Sequence, residues 1–122
     1  MGKIRIFGGF FALLSVVFGA FASHLLKKIL TQTALDSFEV GVKYMMYHGI
    51  ALLILSVIPV EEKKWIYRFF ISGTFLFSFS IFLLSLQSII KIDLKWIGPL
   101  TPMGGILLII GWIIFIIKAI KS

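Results

Sequence analysis

Four stretches of this chain carry no charged side chain, and all four are long. Ile6–Leu26, Tyr44–Val60, Phe69–Ile90 and Trp96–Ile117 hold 21, 17, 22 and 22 residues. The 17 charged side chains are confined to the other 40 residues of the 122. A bilayer core about 30 Å thick is crossed by about 20 apolar helical residues, each rising 1.5 Å. The chain therefore has room for four spans and little else. Only 14% of its residues are charged, against about a quarter in a soluble domain. This excludes a soluble enzyme, a nucleic-acid-binding domain and any sizeable extramembrane domain. The predicted fold is an all-α integral membrane protein, a four-transmembrane-helix bundle with short loops. It forms one membrane domain over 1–122, with helices over about 4–26, 34–58, 65–90 and 102–120.

The formal net charge is +7, but the bases are not arranged as a polyanion arm. They stand at the ends of the apolar runs: Lys3/Arg5, Lys27/Lys28, Lys63/Lys64/Arg68, Lys91/Lys95 and Lys118/Lys121. That is the placement of interfacial anchors and topology signals. The expected partner is the lipid bilayer and not nucleic acid. Cysteine is absent, which excludes disulfide exchange, thiolate metal sites and iron–sulfur clusters.

The first run imitates a signal peptide. Lys3 and Arg5 precede it, and Ala20-Phe21-Ala22 matches an A-x-A cleavage site. Its 21 residues exceed the 7 to 15 of a signal-peptide core, so it reads as a retained first helix. Along it, Gly8, Ala12, Ser15 and Gly19 share one face at helical spacing. Small residues in such a stripe let a second helix approach closely. Gly104 and Gly111 repeat the pattern in the fourth helix.

Thr33-Ala34-Leu35-Asp36 reads as a capping box, which starts the second helix near Ala34. Glu39 and Lys43 stand at i and i+4, the spacing of a stabilising ion pair at the mouth of the span. Thr101-Pro102 reads as an N-cap followed by a first-turn proline, the start of the fourth helix. An even number of spans puts both termini on one side. Seven bases lie on that side and five on the other, which favours cytoplasmic termini in a multi-pass plasma-membrane protein.

His24 and His48 are the only histidines, and an ionisable group within the membrane is a functional hypothesis by default. His48 sits about 15 Å into the second span, with Tyr44 one turn before it. The structural reading of His48 is a neutral imidazole that bonds a hydroxyl or carbonyl and fixes helix packing. The competing reading is a proton- or ligand-handling group. A shared haem or metal is disfavoured, because the two histidines differ in depth by about 10 Å. No metal and no cofactor is expected. All five acids, Asp36, Glu39, Glu61, Glu62 and Asp93, lie at or outside the run ends, so a proton-coupled exporter lacks its buried carboxylate. No enzyme motif is present, and no catalytic residue is assigned.

Four segments together carry a resemblance. They are Gly19-Ala20-Phe21-Ala22-Ser23-His24, Gly41 with Tyr44 and His48, Leu76-Phe77-Ser78 with Ser80, and Thr101-Pro102 with Gly104-Gly105, Gly111 and Trp112. In order and spacing they resemble the small membrane proteins of domain of unknown function 423, a family that takes in transmembrane protein 256. The resemblance covers nearly the whole chain. It implies a four-helix integral membrane protein with no established biochemical activity. The chain departs from the family pattern at Ala22-Ser23, where Gly-Ala is common. It departs again at Phe79 and Phe82, where a glycine and a tyrosine are common, and this removes a hydroxyl from the third helix.

The matching positions His24, Tyr44, His48 and Thr101 all fall toward the expected outer side, so they are a candidate outer-half polar pocket. The leading functional expectation is a non-enzymatic protein acting through helix packing with itself, as a homo-oligomer, or with a partner membrane protein. The alternative is a small transporter or channel-like protein using a proton-sensitive site around His48.

Overall fold

The computed structural model describes residues 2–121; end positions 1 and 122 of the expected domain lie outside the described residues. Four helices account for nearly all of it, and each is long and apolar enough to cross a membrane. Helix α1 spans Gly2–Ile29 and α2 spans Gln32–Leu55. Helix α3 spans Lys64–Ile90, and α4 spans Leu100–Lys121. No strand occurs among the described residues.

The helices alternate in direction. One end of the bundle holds the start of α1, the α2–α3 turn and the end of α4; we call it the terminal end. The other, the far end, holds the α1–α2 and α3–α4 connections. At the terminal end Lys63 folds back over the finish of α2, its Nζ donating to the carbonyls of Leu55 and Ile58 at 2.7 Å each. A cation there meets the negative end of the helix dipole. Arg5 Nε donates to Ser56 Oγ at 3.4 Å, and Lys118 pairs with Glu62 at 3.4 Å.

Helix α1 packs on α2, α4 packs on α3, and α2 and α3 form the central pair. Each outer contact has a glycine crossing. A Cβ added at Gly8 would lie 2.8 Å from the Gly49 carbonyl, and one at Gly49 would lie 2.9 Å from the Gly8 carbonyl. Gly73 and Gly104 are related in the same reciprocal way, at 3.0 and 2.8 Å. Only hydrogen side chains allow two helix backbones this close, and close approach is a main source of helix association in lipid. Gly111 takes the ring of Phe70 against it, whereas Gly19 makes an ordinary contact with Val42. Phe18, Phe38 and Phe82 close the centre nearer the far end, with centroids 4.8 to 6.2 Å apart.

Several local expectations are corrected. Thr31, not Thr33, caps α2, its Oγ1 accepting from the Ala34 N–H at 3.2 Å. The helix gains two residues at its start and stops at Leu55, where expectation ran to Ile58. Glu39 and Lys43 do not pair; the ion pair found among the described residues is Lys118–Glu62. A solvent-facing i, i+4 pair gains little from meeting, and Lys43 is exposed. Helix α4 begins at Leu100, two residues before the Pro102 start that a Thr101 cap implies. Thr101 lies inside that first turn, and its hydroxyl is bonded to Ser80. Pro102 is tolerated there because first-turn N–H groups have no intrahelical acceptor.

Two features have no counterpart in the expectation. Both α1 and α3 contain a π turn, at Ala22–Leu26 and Phe75–Phe79. The second lies where Gly104 brings the backbone of α4 against Phe77. In addition, α4 starts deep. Thr101 is bonded to Ser80, yet α3 continues about 15 Å beyond Ser80 to Ile90. The connection over residues 91–99 therefore descends along the bundle, burying Ile97 and tied by Gln87 Oε1, which accepts from the Leu94 N–H at 3.0 Å.

Candidate functional site

Buried polar side chains are few, and most are used between helices. Ser78 is fully buried in the π turn of α3 and donates to the Gly41 carbonyl of α2 at 2.8 Å. Two residues on, Ser80 faces the opposite neighbour. Its Oγ lies 2.5 Å from Thr101 Oγ1 of α4 and donates to the Phe77 carbonyl at 3.0 Å. A hydroxyl has one proton, so Thr101 is the donor to Ser80.

His48 makes the third fastening. It is 4% exposed. Its Nδ1 lies 2.8 Å from the Tyr44 carbonyl one turn back, and Trp112 Nε1 lies 3.0 Å from its Nε2. An indole N–H can only donate, so Nε2 accepts. Nδ1 then carries the ring proton and donates to Tyr44. Both nitrogens are thereby engaged, one within α2 and the other across to α4. Phe70 meets the imidazole edge-on at 5.3 Å between centroids and lies 4.8 Å from the Trp112 ring. The histidine is walled by aromatic carbon.

Beside this group, an apolar cavity of about 350 Å³ opens between α2 and α4, lined by Tyr47, Ala51, Ile54, Phe70, Trp112 and Phe115. His48 itself does not line it. With both ring nitrogens occupied, a ligand in this cavity would have to break the Trp112 bond to reach the imidazole.

The four residues expected to form one pocket are not brought together. His24 is exposed. It lies two residues beyond Ala22, which is buried with Leu26, and so points away from the bundle. Tyr44 is exposed, and its carbonyl, not its hydroxyl, serves His48. Thr101 lies about 16 Å along α4 from the Trp112 that His48 reaches. His48 itself is about 10 Å from the terminal end of α2 at Leu55. It is thus nearer the terminal end than the far, expected outer, end. Among the described residues, no group of three or more His, Asp or Glu is placed to hold a metal ion.

Trp112, Gly41, Gly49, Gly73, Ser78 and Ser80 are the members of these fastenings that sequence reasoning did not assign. The Gly49 signal was available, since Gly41 and Gly49 are two helical turns apart on one face. The pairing of Trp112 with His48, 64 positions away, had no local signal.

The family model described as Protein of unknown function (DUF423) matches residues 18–105. The UPF0382 membrane protein of Staphylococcus aureus (strain bovine RF122 / ET3-1) is 38% identical over 119 residues, covering 95% of this chain and 93% of the relative. That of Bacillus subtilis (strain 168) is 32% identical over 124 residues, covering 95% and 94%. That of Schizosaccharomyces pombe (strain 972 / ATCC 24843) is 37% identical over 102 residues, covering 82% and 86%. No solved structure matches. The matched span contains His48, Ser78 and Thr101, whereas Trp112 lies beyond it.

Proposed function

This chain belongs to the family described as Protein of unknown function (DUF423), and we propose that it is a non-enzymatic membrane protein that acts through helix packing with itself or with a partner membrane protein. The observation that carries this reading is the state of His48. The one histidine buried in the bundle has both nitrogens engaged, and its neighbours are aromatic. A group arranged in this way fastens α2 to α4 and presents no open lone pair to a substrate or an ion.

Ser78 and Ser80 support the same reading, because their hydroxyls are used between or within helices. The exposed faces of α1 and α4 are broad and apolar, with Ile6, Leu13 and Val16 on one and Ile106, Ile109 and Ile113 on the other. These are surfaces on which lipid or another helix can lie. The membrane we propose is the plasma membrane, with both termini cytoplasmic. The support is the excess of bases at the terminal end, seven against five.

The test is crosslinking in native membranes, followed by identification of what co-purifies. A discrete homo-oligomer or a stable heterologous membrane protein is expected. Specific ion or proton flux in liposomes that His48→Ala abolishes would overturn the reading and install the transporter or channel alternative.

A further inference from the structure

The deep start of α4 leaves a gap at the far end. Between the first turns of α2, the last turns of α3 and the start of α4 lies a cavity of about 520 Å³. It is separate from the His48–Trp112 contact and shares no lining residue with the apolar cavity there. Its polar lining is all hydroxyl: Thr31, Thr33, Ser37, Ser85 and Thr101. Val40, Ile81 and Leu84 supply an apolar floor.

The donors outnumber the acceptors that could use them. Ser85 is 6% exposed, and its Oγ has no hydrogen-bond partner. A buried hydroxyl left without a partner is destabilising, so Ser85 is the strongest sign that something polar belongs here. Thr33 and Ser37 have no partner within the protein, and Thr31 accepts from Ala34 with its own proton unspent. Two helix N-termini also border the cavity: α2 begins at Gln32, and Gly98 and Thr101 flank the start of α4. At α2 the Ala34 N–H is taken by Thr31 Oγ1, while the Gln32 and Thr33 N–H groups lack an intrahelical acceptor. At α4 the Thr101 and Met103 N–H groups bond the Gly98 and Pro99 carbonyls and Pro102 has none, so that end contributes its positive dipole. No carboxylate lines the space. Five lysines stand at this end, Lys27, Lys28, Lys43, Lys91 and Lys95, against Asp36, Glu39 and Asp93. Two of those acids are already used, Asp36 accepting from Gln32 Nε2 and Asp93 from the Lys95 N–H.

We infer that this cavity is a binding site for a phosphate oxyanion. The hydroxyl protons of Thr31, Thr33, Ser37 and Ser85 and the N–H groups at the start of α2 supply the donors that such a group accepts. The apolar floor beneath them favours a phosphate carried on acyl chains, as in an anionic phospholipid, over free phosphate.

The test is native mass spectrometry of the purified full chain in detergent, offered dioleoylphosphatidylglycerol or dioleoylglycerol, which has the same chains without phosphate. The phosphatidylglycerol adduct is expected to be retained about tenfold better, the scale of one hydrogen bond to a charged group. Ser37→Asp puts a like charge at an exposed lining position and is expected to lower that retention about tenfold, leaving dioleoylglycerol unchanged. Ser85→Ala is expected to lower it in the same direction. Competition by millimolar inorganic phosphate would assign the site to a free oxyanion; failure to compete would assign it to lipid. Equal retention of the two lipids, or phosphatidylglycerol retention unchanged in both variants, would overturn the inference.

Discussion

Trp112 Nε1 donates to His48 Nε2 across 3.0 Å, joining α4 to α2 within the membrane-spanning part of the bundle. The direction of this bond sets the histidine tautomer, because Nε2 must accept and Nδ1 must hold the proton. Nitrogen-15 spectra of histidine-labelled protein in detergent should therefore show His48 with a protonated Nδ1 and a bare Nε2. Trp112→Phe removes the donor and should shift the Nε2 resonance. A protonated Nε2 in the wild-type protein would contradict the geometry.

Glycines divide sharply by what surrounds them. A Cβ at Gly104 would run into the backbone of Phe77 and Gly73, while one at Gly9 would meet nothing within 4 Å. Gly104→Ala should cost about 1–3 kcal/mol, because neither helix can yield without shifting its backbone. Gly9→Ala should stay within about 0.5 kcal/mol of wild type. Unfolding of the purified protein by sodium dodecyl sulfate in mixed micelles measures both, and equal losses would remove the close-crossing explanation.

Two buried hydroxyls of α3 should respond in opposite ways. Ser78 donates to the Gly41 carbonyl, while Thr74 Oγ1 is buried without a partner. Ser78→Ala should lower stability by about 0.6 to 1.7 kcal/mol, the range for bonds between membrane helices. Thr74→Val removes an unsatisfied polar atom with little change of shape, so stability should hold or rise by up to about 1 kcal/mol. The same unfolding titration reads both. A loss at Thr74→Val matching that at Ser78→Ala would show that Thr74 has a partner after all.

Orientation can be read directly, since the chain has no cysteine of its own. Single cysteines at Glu61 in the α2–α3 turn and Asp93 in the α3–α4 connection sit at opposite ends of the bundle. With cytoplasmic termini, a membrane-impermeant maleimide on intact cells should label Asp93→Cys. It should reach Glu61→Cys only after permeabilisation. The reverse pattern would place the termini outside.

What is legible in the sequence depends on the range of the interaction. The four apolar runs are local and strong, and each became a helix. Gly104 and Gly111 were readable as a packing face because helical spacing is a local property. Which residue meets Gly104 was not, since Gly73 belongs to another helix. The π turn at Phe75–Phe79 carries no proline or paired glycine, so nothing local marks it. The depth at which α4 starts was hidden for a similar reason. Thr101-Pro102 signals a helix start but says nothing of how far α3 runs past it. The expected four-residue pocket does not form, because Thr101 bonds Ser80 at the start of α4 whereas Trp112, about 16 Å further along that helix, is the residue that reaches the His48 ring. Glu39 and Lys43 had the spacing of an ion pair, but spacing alone does not overcome hydration at an exposed site.

The central claim is that His48 serves as a fastener between helices, and a double-mutant cycle tests it most directly. Stability would be measured for wild type, His48→Ala, Trp112→Phe and the double variant. The account expects a coupling of about 0.6 to 1.7 kcal/mol between the two positions, with the double variant losing less than the sum of the single losses. Fully additive losses would contradict it, because they would mean that the imidazole and the indole hold α2 and α4 together independently or not at all.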